Sequence, residues 1–382
     1  MRVAIINLTG GGISGGYEVY LRNVLPRLAA HPRVEQVLCA SPATLGVSHL
    51  CPAGPKLRHI PCAPFRVYRR TWDSQLAQAL AAFQPDVIFM PLERTLAIPR
   101  VPMVCMVQNM GPLAAHVADN PWSERFRYLL QRVVARRAIG SAARVIAPSV
   151  FVRSFLVSSW GIRPEKVMVI HYGSESPALG QAGARPAGVP DRWRKFLFTA
   201  GSIEPYRGLE DLLGAMEQFL VRFPDLGLVI AGAARTNMPR YVRKLDHWIA
   251  TRALSERVCW AGLLSQAQMR WCYEHCRAFV MTSRVESFSM IALEALSHGC
   301  VSVVAHNPPL PEIFGEVADY YAPGEPRALA RKLEKILTLP DPEIALRSRF
   351  ARSRAAEFSW DRNVQLLVET LLAVANRSSP IV

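Results

Sequence analysis

Short apolar runs alternate with longer amphipathic stretches along most of the chain. In the first half, the runs at 2–8, 34–40, 86–90, 102–107, 143–147 and 167–171 predict strands, and the stretches at 17–30, 72–83, 122–142 and 149–160 predict helices. Such alternation implies a parallel sheet covered by helices on both faces. The texture breaks at 173–190, where glycine and proline crowd together and predict an exposed linker. A second alternation follows, with strands predicted at 195–200, 226–231, 257–261, 278–282 and 300–304 and helices at 208–223, 239–253, 265–275, 289–298 and 326–338. The amphipathic tail from Trp360 to Asn376 predicts a closing helix. The expected fold is α/β, with two doubly wound Rossmann-like domains, 1–175 and 193–359, joined by a linker at 176–192. They would face each other across a cleft beyond the carboxyl ends of their strands, where such sheets bind ligands, with helix 360–382 packing back on the first domain.

Composition narrows this picture. At 382 residues, half of them hydrophobic, the chain can build two ordinary cores and is not disordered. It has no run of 18 or more apolar residues, and Met1–Leu8 is too short a run for a signal peptide and reads as a first buried strand, so a cytoplasmic protein is expected. Net charge of +15 predicts an anionic partner: nucleic acid, a phospholipid surface or a phosphorylated substrate. Aromatic and basic residues do not interleave as in nucleic-acid-binding motifs, so nucleic acid ranks last. The patches Arg66-Val-Tyr-Arg69-Arg70 and Arg132-Val-Val-Ala-Arg136-Arg137 fit a peripheral position on an anionic membrane, although such runs are more often solvated faces. Eight scattered cysteines include no Cys-x-x-Cys pair and read as reduced and buried. Cys272, His275 and Cys276 share one helix but offer only three ligands, so no metal site is expected.

Candidate chemistry lies in three segments. Gly10-Gly-Gly12-Ile-Ser-Gly15-Gly16 joins the first strand to the first helix, and five glycines in seven positions exceed what a turn needs. The helix start behind them suits a phosphate. No acid ends the second strand (Leu38-Cys-Ala-Ser41), which weakens a nicotinamide reading, and no Gly-Lys-Ser/Thr follows. In the second half, Glu286 falls in a strand-to-helix loop and Glu294 two turns on in an apolar helix. Glu286 could accept from sugar hydroxyls and Glu294 from a ribose diol, while the N–H groups of Phe288, Ser289 and Met290 could hold a diphosphate. The third segment, Gly201-Ser202-Ile-Glu-Pro-Tyr-Arg207-Gly208, aims an arginine from the end of its strand at the same place, where it could bind phosphate.

At these segments the chain resembles the family-4 retaining glycosyltransferases. The resemblance is carried by Glu286…Glu294, like that family's E-x7-E, by Gly201–Arg207, by Leu310-Pro-Glu312 followed by Gly315, and by Phe358-Ser-Trp360. It implies a GT-B architecture whose carboxyl-terminal domain grips a nucleotide sugar and whose amino-terminal domain supplies most of the acceptor site. Glu286 would contact the donor sugar, Glu294 the ribose, Arg207 the diphosphate, and Gly262 and Leu263 would lie near the base. No essential metal is implied, and the sequence has no Asp-x-Asp. The implied activity is metal-independent hexosyl transfer with retention to a glycan or lipid-pyrophosphate-linked acceptor in bacterial polysaccharide or lipopolysaccharide assembly. A GDP-linked mannose donor is favoured over UDP- and dTDP-linked ones. Three departures stand out. Tyr206 replaces the first member of a basic pair, with Arg235 or Arg284 available to complete the charge. Gln108, Asn109 and Met110 stand where many members have a histidine, the nearest being His116, so Gln108, Asn109 and His116 are the acceptor-site candidates. The glutamate motif reads Glu-Ser-Phe-Ser-Met, with serines where glycines are commoner. Rival readings are a sugar-nucleotide 2-epimerase of the same architecture and a non-catalytic binding protein that kept the fold.

Overall fold

The computed structural model describes all residues except 10–14, 52–53, 65–72, 97–100, 115–121, 176–181, 194, 220, 234–237 and 379–382. The chain divides into two compact units, one of Met1–Leu113, Phe126–Gly173 and Ser359–Val382, the other of Ala114–Arg125 and Ser174–Phe358.

The first unit runs β1 (Arg2–Ile6), α1 (Gly15–Ala30), β2 (Gln36–Pro42), β3 (Leu57–Cys62), α2 (Ser74–Phe83), β4 (Val87–Met90), β5 (Met103–Met106), α3 (Gly111–Ala114), α4 (Trp122–Ser141), β6 (Arg144–Ala147), α5 (Val150–Trp160) and β7 (Val167–Val169), except that Ala114 and the first turn of α4, Trp122–Arg125, are counted with the second. Its sheet is parallel in the order β3-β2-β1-β4-β5-β6-β7. The central strands are buried on both faces, as a sheet sandwiched by helices requires. Local chemistry sets the helix ends. Asp73 caps α2 by accepting from the N–H groups of Gln75 and Leu76; Ser149 caps α5, which Gly161 stops in the left-handed region.

The second unit runs β8 (Lys195–Ala200), α6 (Leu209–Glu217), β9 (Leu226–Ala231), α7 (Pro239–Thr251), β10 (Val258–Gly262), α8 (Gln266–His275), β11 (Ala278–Met281), α9 (Met290–Ser297), β12 (Ser302–Ala305), α10 (Leu310–Phe314), β13 (Ala318–Tyr321), α11 (Pro326–Thr338) and α12 (Asp341–Ala356). Its parallel sheet has the order β10-β9-β8-β11-β12-β13. The last helix, α13 (Trp360–Ser378), belongs to the first unit. There Trp360 stacks on Tyr172 and meets Tyr20 edge-on, Asn363 Nδ2 donates to the carbonyl of His171 (2.6 Å), and Arg27 pairs with Asp361. Gly173 allows this seat, since a Cβ there would run into the backbone of Trp360.

Several elements differ from the pattern-based expectation. The helix expected at 208–223 ends at Glu217, and Gln218 and Phe219 turn back through i−3 bonds ahead of Pro224. Residues 182–193, in the stretch expected as linker, are mostly exposed but anchored on the second unit: Ala184 N donates to Ala267 O (2.9 Å), Arg185 lies over the Trp271 ring, and Val189 and Trp193 are buried. The eight cysteines are free, and Cys276 Sγ lies 4.0 Å from Cys300 Sγ. Among the described residues no helix is long and apolar enough to cross a membrane, and no group of three His, Cys, Asp or Glu could hold a metal.

Candidate active site

In each sheet the strand order reverses direction between two neighbours, β1 and β4 in the first, β8 and β11 in the second. Loops leave such a pair on opposite faces, and the crevice they open at the carboxyl end of the sheet is where ligands bind. In the second sheet this topology brings together residues 79 apart in the chain. Arg207 follows β8, Glu286 follows β11, and Arg207 Nη1 donates to Glu286 Oε1 and to Ser283 Oγ (3.2 Å). Both side chains are largely covered, 16% and 12% exposed. Burial opposes the charge of Arg207, but Glu286, Tyr206 and Glu204 outweigh it and hold the guanidinium above its ordinary pKa. Arg207 Nε is buried without a hydrogen-bond partner, and beside it lies a cavity of about 10 Å³, room for one water, lined by Thr199, Gly201, Ser202, Arg207 and Thr282.

Glycines let the backbone close up under this pair. Gly208 takes a left-handed φ of 63°, and a Cβ there would collide with Thr282 O; the close approach lets Thr282 Oγ1 donate to Arg207 O (2.6 Å) and Arg284 N to Tyr206 O (2.7 Å). Gly232, at φ 129°, abuts Gly201 O, and any side chain there would collide with that carbonyl. Gly262 ends β10 and accepts from Gly232 N (2.7 Å), while Leu263 beside it is 82% exposed.

Glu294 lies on α9, half-buried, and accepts from Tyr273 Oη (3.1 Å). Burial pushes the Tyr273 hydroxyl well up, so it stays a donor. Phe288 is fully buried against Phe358, so its side chain packs the core beneath the turn and only its backbone can face a ligand. Ser289 caps α9 by accepting from Ala292 N (3.3 Å), and Met290 opens the helix. The motif Leu310-Pro-Glu312 forms α10, held by Arg354, whose Nη2 donates to Glu312 O (2.6 Å).

The two arginines named to complete the positive charge fare differently. Arg284 is engaged by the buried Asp211 (2.8 Å), which also accepts from Tyr321 Oη (3.0 Å) and Gly324 N (2.9 Å); its charge is matched. Arg235 lies outside the described residues.

In the first sheet, Gly15 and Gly16 open α1, and a Cβ at Gly15 would meet open space, so that glycine is not sterically required. Gly12 and His116 lie outside the described residues. Gln108 and Asn109 follow β5, and both their N–H groups donate to Glu93 Oε1, the second at 2.8 Å. Glu93 follows β4 and is 8% exposed; burial raises its pKa, and the N–H bond from Asn109 and the charge of Arg94 pull the other way. Sequence reasoning missed Glu93, Asp211 and Gly232, and named Gly208 without giving it a role. For Glu93 a signal existed, a lone acid just past a strand of four apolar residues (Val87–Met90).

Comparison with known proteins agrees with the two-sheet fold. Residues 14–174 match the family model described as Glycosyltransferase Family 4, and residues 185–354 the model described as Glycosyl transferases group 1. The D-inositol 3-phosphate glycosyltransferase of Streptomyces scabiei (strain 87.22) is 27% identical over 95% of this chain and 87% of its own length. The serotype-specific mannosyltransferase WbdA of Escherichia coli is 23% identical over 76% of this chain and 37% of its own. Among solved structures, Anabaena Alr3699/HepE in complex with UDP and glucose superposes with a TM-score of 0.73 at 20% identity, covering 98% of this chain and 100% of that one. WaaG, a glycosyltransferase involved in lipopolysaccharide biosynthesis, superposes with a TM-score of 0.69 at 12% identity, covering 96% and 99%. At these identities the structures share the fold.

Proposed function

The chain belongs to glycosyltransferase family 4 and is a glycosyltransferase of the GT-B type, and from that premise we propose that it moves mannose from a nucleotide sugar, GDP-linked, to a glycan or lipid-pyrophosphate-linked oligosaccharide, with retention and without an essential metal. The observation that carries this is the Arg207–Glu286 pair at the switch point of the second sheet, beside the amino end of α9. Arg207 offers a fixed charge to the donor's diphosphate and to the leaving nucleotide as negative charge builds on it. The N–H groups at the start of α9 add a second positive pole. Glu286, held by Arg207, accepts from hydroxyls of the donor sugar, and Glu294, held by Tyr273, accepts from the ribose diol. Gly262 keeps the backbone open near the base. Gln108 and Asn109, held by Glu93, face the acceptor. The similarity to a mannosyltransferase supports the sugar.

The test is calorimetric titration of GDP-, UDP- and dTDP-sugars in the presence of EDTA, with Arg207→Ala and Glu286→Ala alongside. GDP-mannose is expected to bind, and to be lost in both variants. Selective binding of another donor corrects the donor and leaves the site standing. A folded protein that binds none moves the reading to a non-catalytic binding protein.

A further inference from the structure

One helix presents its apolar residues to solvent. On α4, Trp122 is 82% exposed, Phe126 57%, Leu129 56% and Val133 42%. Spaced i, i+4, i+7 and i+11, they fall within an arc of roughly 60° at 3.6 residues per turn. The opposite side carries the buried residues Glu124, Tyr128, Ala135, Ala138 and Ile139, so the helix rests on the protein by one face and offers a separate apolar ridge by the other. Arginines border that ridge. Arg137 lies along one side; Arg125, Arg132 and Arg136 lie along the other, with Arg136 and Arg137 exposed and Arg125 set over the Trp122 ring at 5.5 Å.

We propose that this face of α4 docks on an anionic lipid bilayer. A ridge of tryptophan, phenylalanine and leucine flanked by arginine is the chemistry of a helix lying in a membrane interface. The apolar side chains enter the acyl boundary and the arginines reach the headgroup phosphates. Tryptophan favours that depth. The net charge of +15 draws the whole molecule to such a surface. A second copy is a poorer occupant, because a two-fold pairing of α4 ridges sets the arginine rows of both copies beside each other. Docking rests on the glycosyl-transfer reading for its purpose, delivery of a lipid-linked acceptor, but it is measured without donor or acceptor, so either can fail alone.

The experiment is flotation of the full chain with vesicles of phosphatidylcholine alone and of phosphatidylcholine with phosphatidylglycerol, for the wild type, a Trp122→Ser/Phe126→Ser/Leu129→Ser variant and an Arg136→Gln/Arg137→Gln variant. Thermal melting and donor titration check that each variant is folded and keeps its site. The wild type should bind the anionic vesicles and release them as salt rises. The serine variant should lose affinity by about tenfold or more, and the glutamine variant by about 25-fold, roughly fivefold per arginine. Undiminished binding by the serine variant, equal binding to neutral vesicles, or no binding by the folded wild type overturns the proposal. So does a wild-type dimer that the serine variant dissociates without change in vesicle binding, which would assign the ridge to a second copy.

Discussion

The carboxyl ends of the two sheets carry different electrostatics, at the switch point of the second and at the neighbouring strand pair β4 and β5 of the first. After β8 and β11, a cation and an anion meet, Arg207 against Glu286, with the neighbouring Arg284 matched by Asp211. After β4 and β5, a single carboxylate, Glu93, gathers the backbone N–H groups of Gln108 and Asn109. In the first arrangement the charges sit on two largely covered side chains that face each other, which on the proposed reading a charged, hydroxyl-bearing ligand would share. In the second, the charge serves the conformation of the loop, and what the loop offers outward is amide and backbone. The difference separates a paired charge from a carboxylate that holds the shape of a loop, and each half of that contrast can be broken by substitution.

The largest effect belongs to the charged pair. Because Arg207 and Glu286 hold each other in place, they should act as one unit. Arg207→Ala and Glu286→Ala should each lower kcat by about 10²–10³-fold, the cost of removing one preorganised electrostatic group. The double variant should fall little below the worse single one, because effects within a unit are not additive. Steady-state kinetics on the four proteins decides it. Effects that multiply would mean two independent contacts and dissolve the idea of a joint unit.

A smaller effect, of a different kind, is expected at Glu93. Glu93→Gln keeps an oxygen to accept from the loop and removes the charge, so donor affinity should change by less than about twofold, the site lying in the other unit with no shared partner. The pH dependence of stability should change instead. Burial raises the folded-state pKa of Glu93 above the ordinary 4.5, so its contribution is fully present below 4.5 and is lost as pH rises through the folded value, where the buried carboxyl must ionise. The glutamine variant has nothing to ionise there. Urea midpoints measured from pH 4 upward, about half a unit below the ordinary glutamate pKa, should shift in the variant's favour with rising pH. A shift the other way would mean that the N–H bonds stabilise the carboxylate as an anion, and the contrast between the two places would narrow.

The contrast also explains what could be read without coordinates. Arg207 and Glu286 each stand within seven residues of a short apolar strand and ahead of a helix, and that local signature survives in the sequence. The strand-helix alternation of both sheets was legible for the same reason. Contacts that depend on strand order were not. Asp211 answers Arg284 from 73 positions away, and Gly232 is confined by Gly201 across a strand pair. Edge elements also escaped. The strand β3 holds a proline and mixes polar with apolar residues, as edge strands tolerate, and β13 is short and half-buried. On α12 only Ala351 and Ala355 are buried, too small a stripe to print a helical period.

The smallest effect should distinguish backbone strain from capping at the start of α9. Ser289 has φ 87° and ψ 90°, a region costly for any residue with a Cβ, where the resembling family more often has glycine. The same residue caps the helix through Ala292 N. Ser289→Gly removes a strain of order 1 kcal/mol or more. Against that it gives up a cap, which glycine replaces at a cost of a few tenths, and it loosens the unfolded chain by about 0.4–1 kcal/mol. The net should be a gain near 0.5 kcal/mol, within the span of those three terms. Ser289→Ala keeps the strain and loses the cap, so it should cost about 1 kcal/mol. The opposite signs of the two variants in denaturant unfolding are the test. Equal losses would mean that the hydroxyl, and not the backbone angle, governs this turn, and that serine stands there for its cap or for a ligand rather than in place of a glycine.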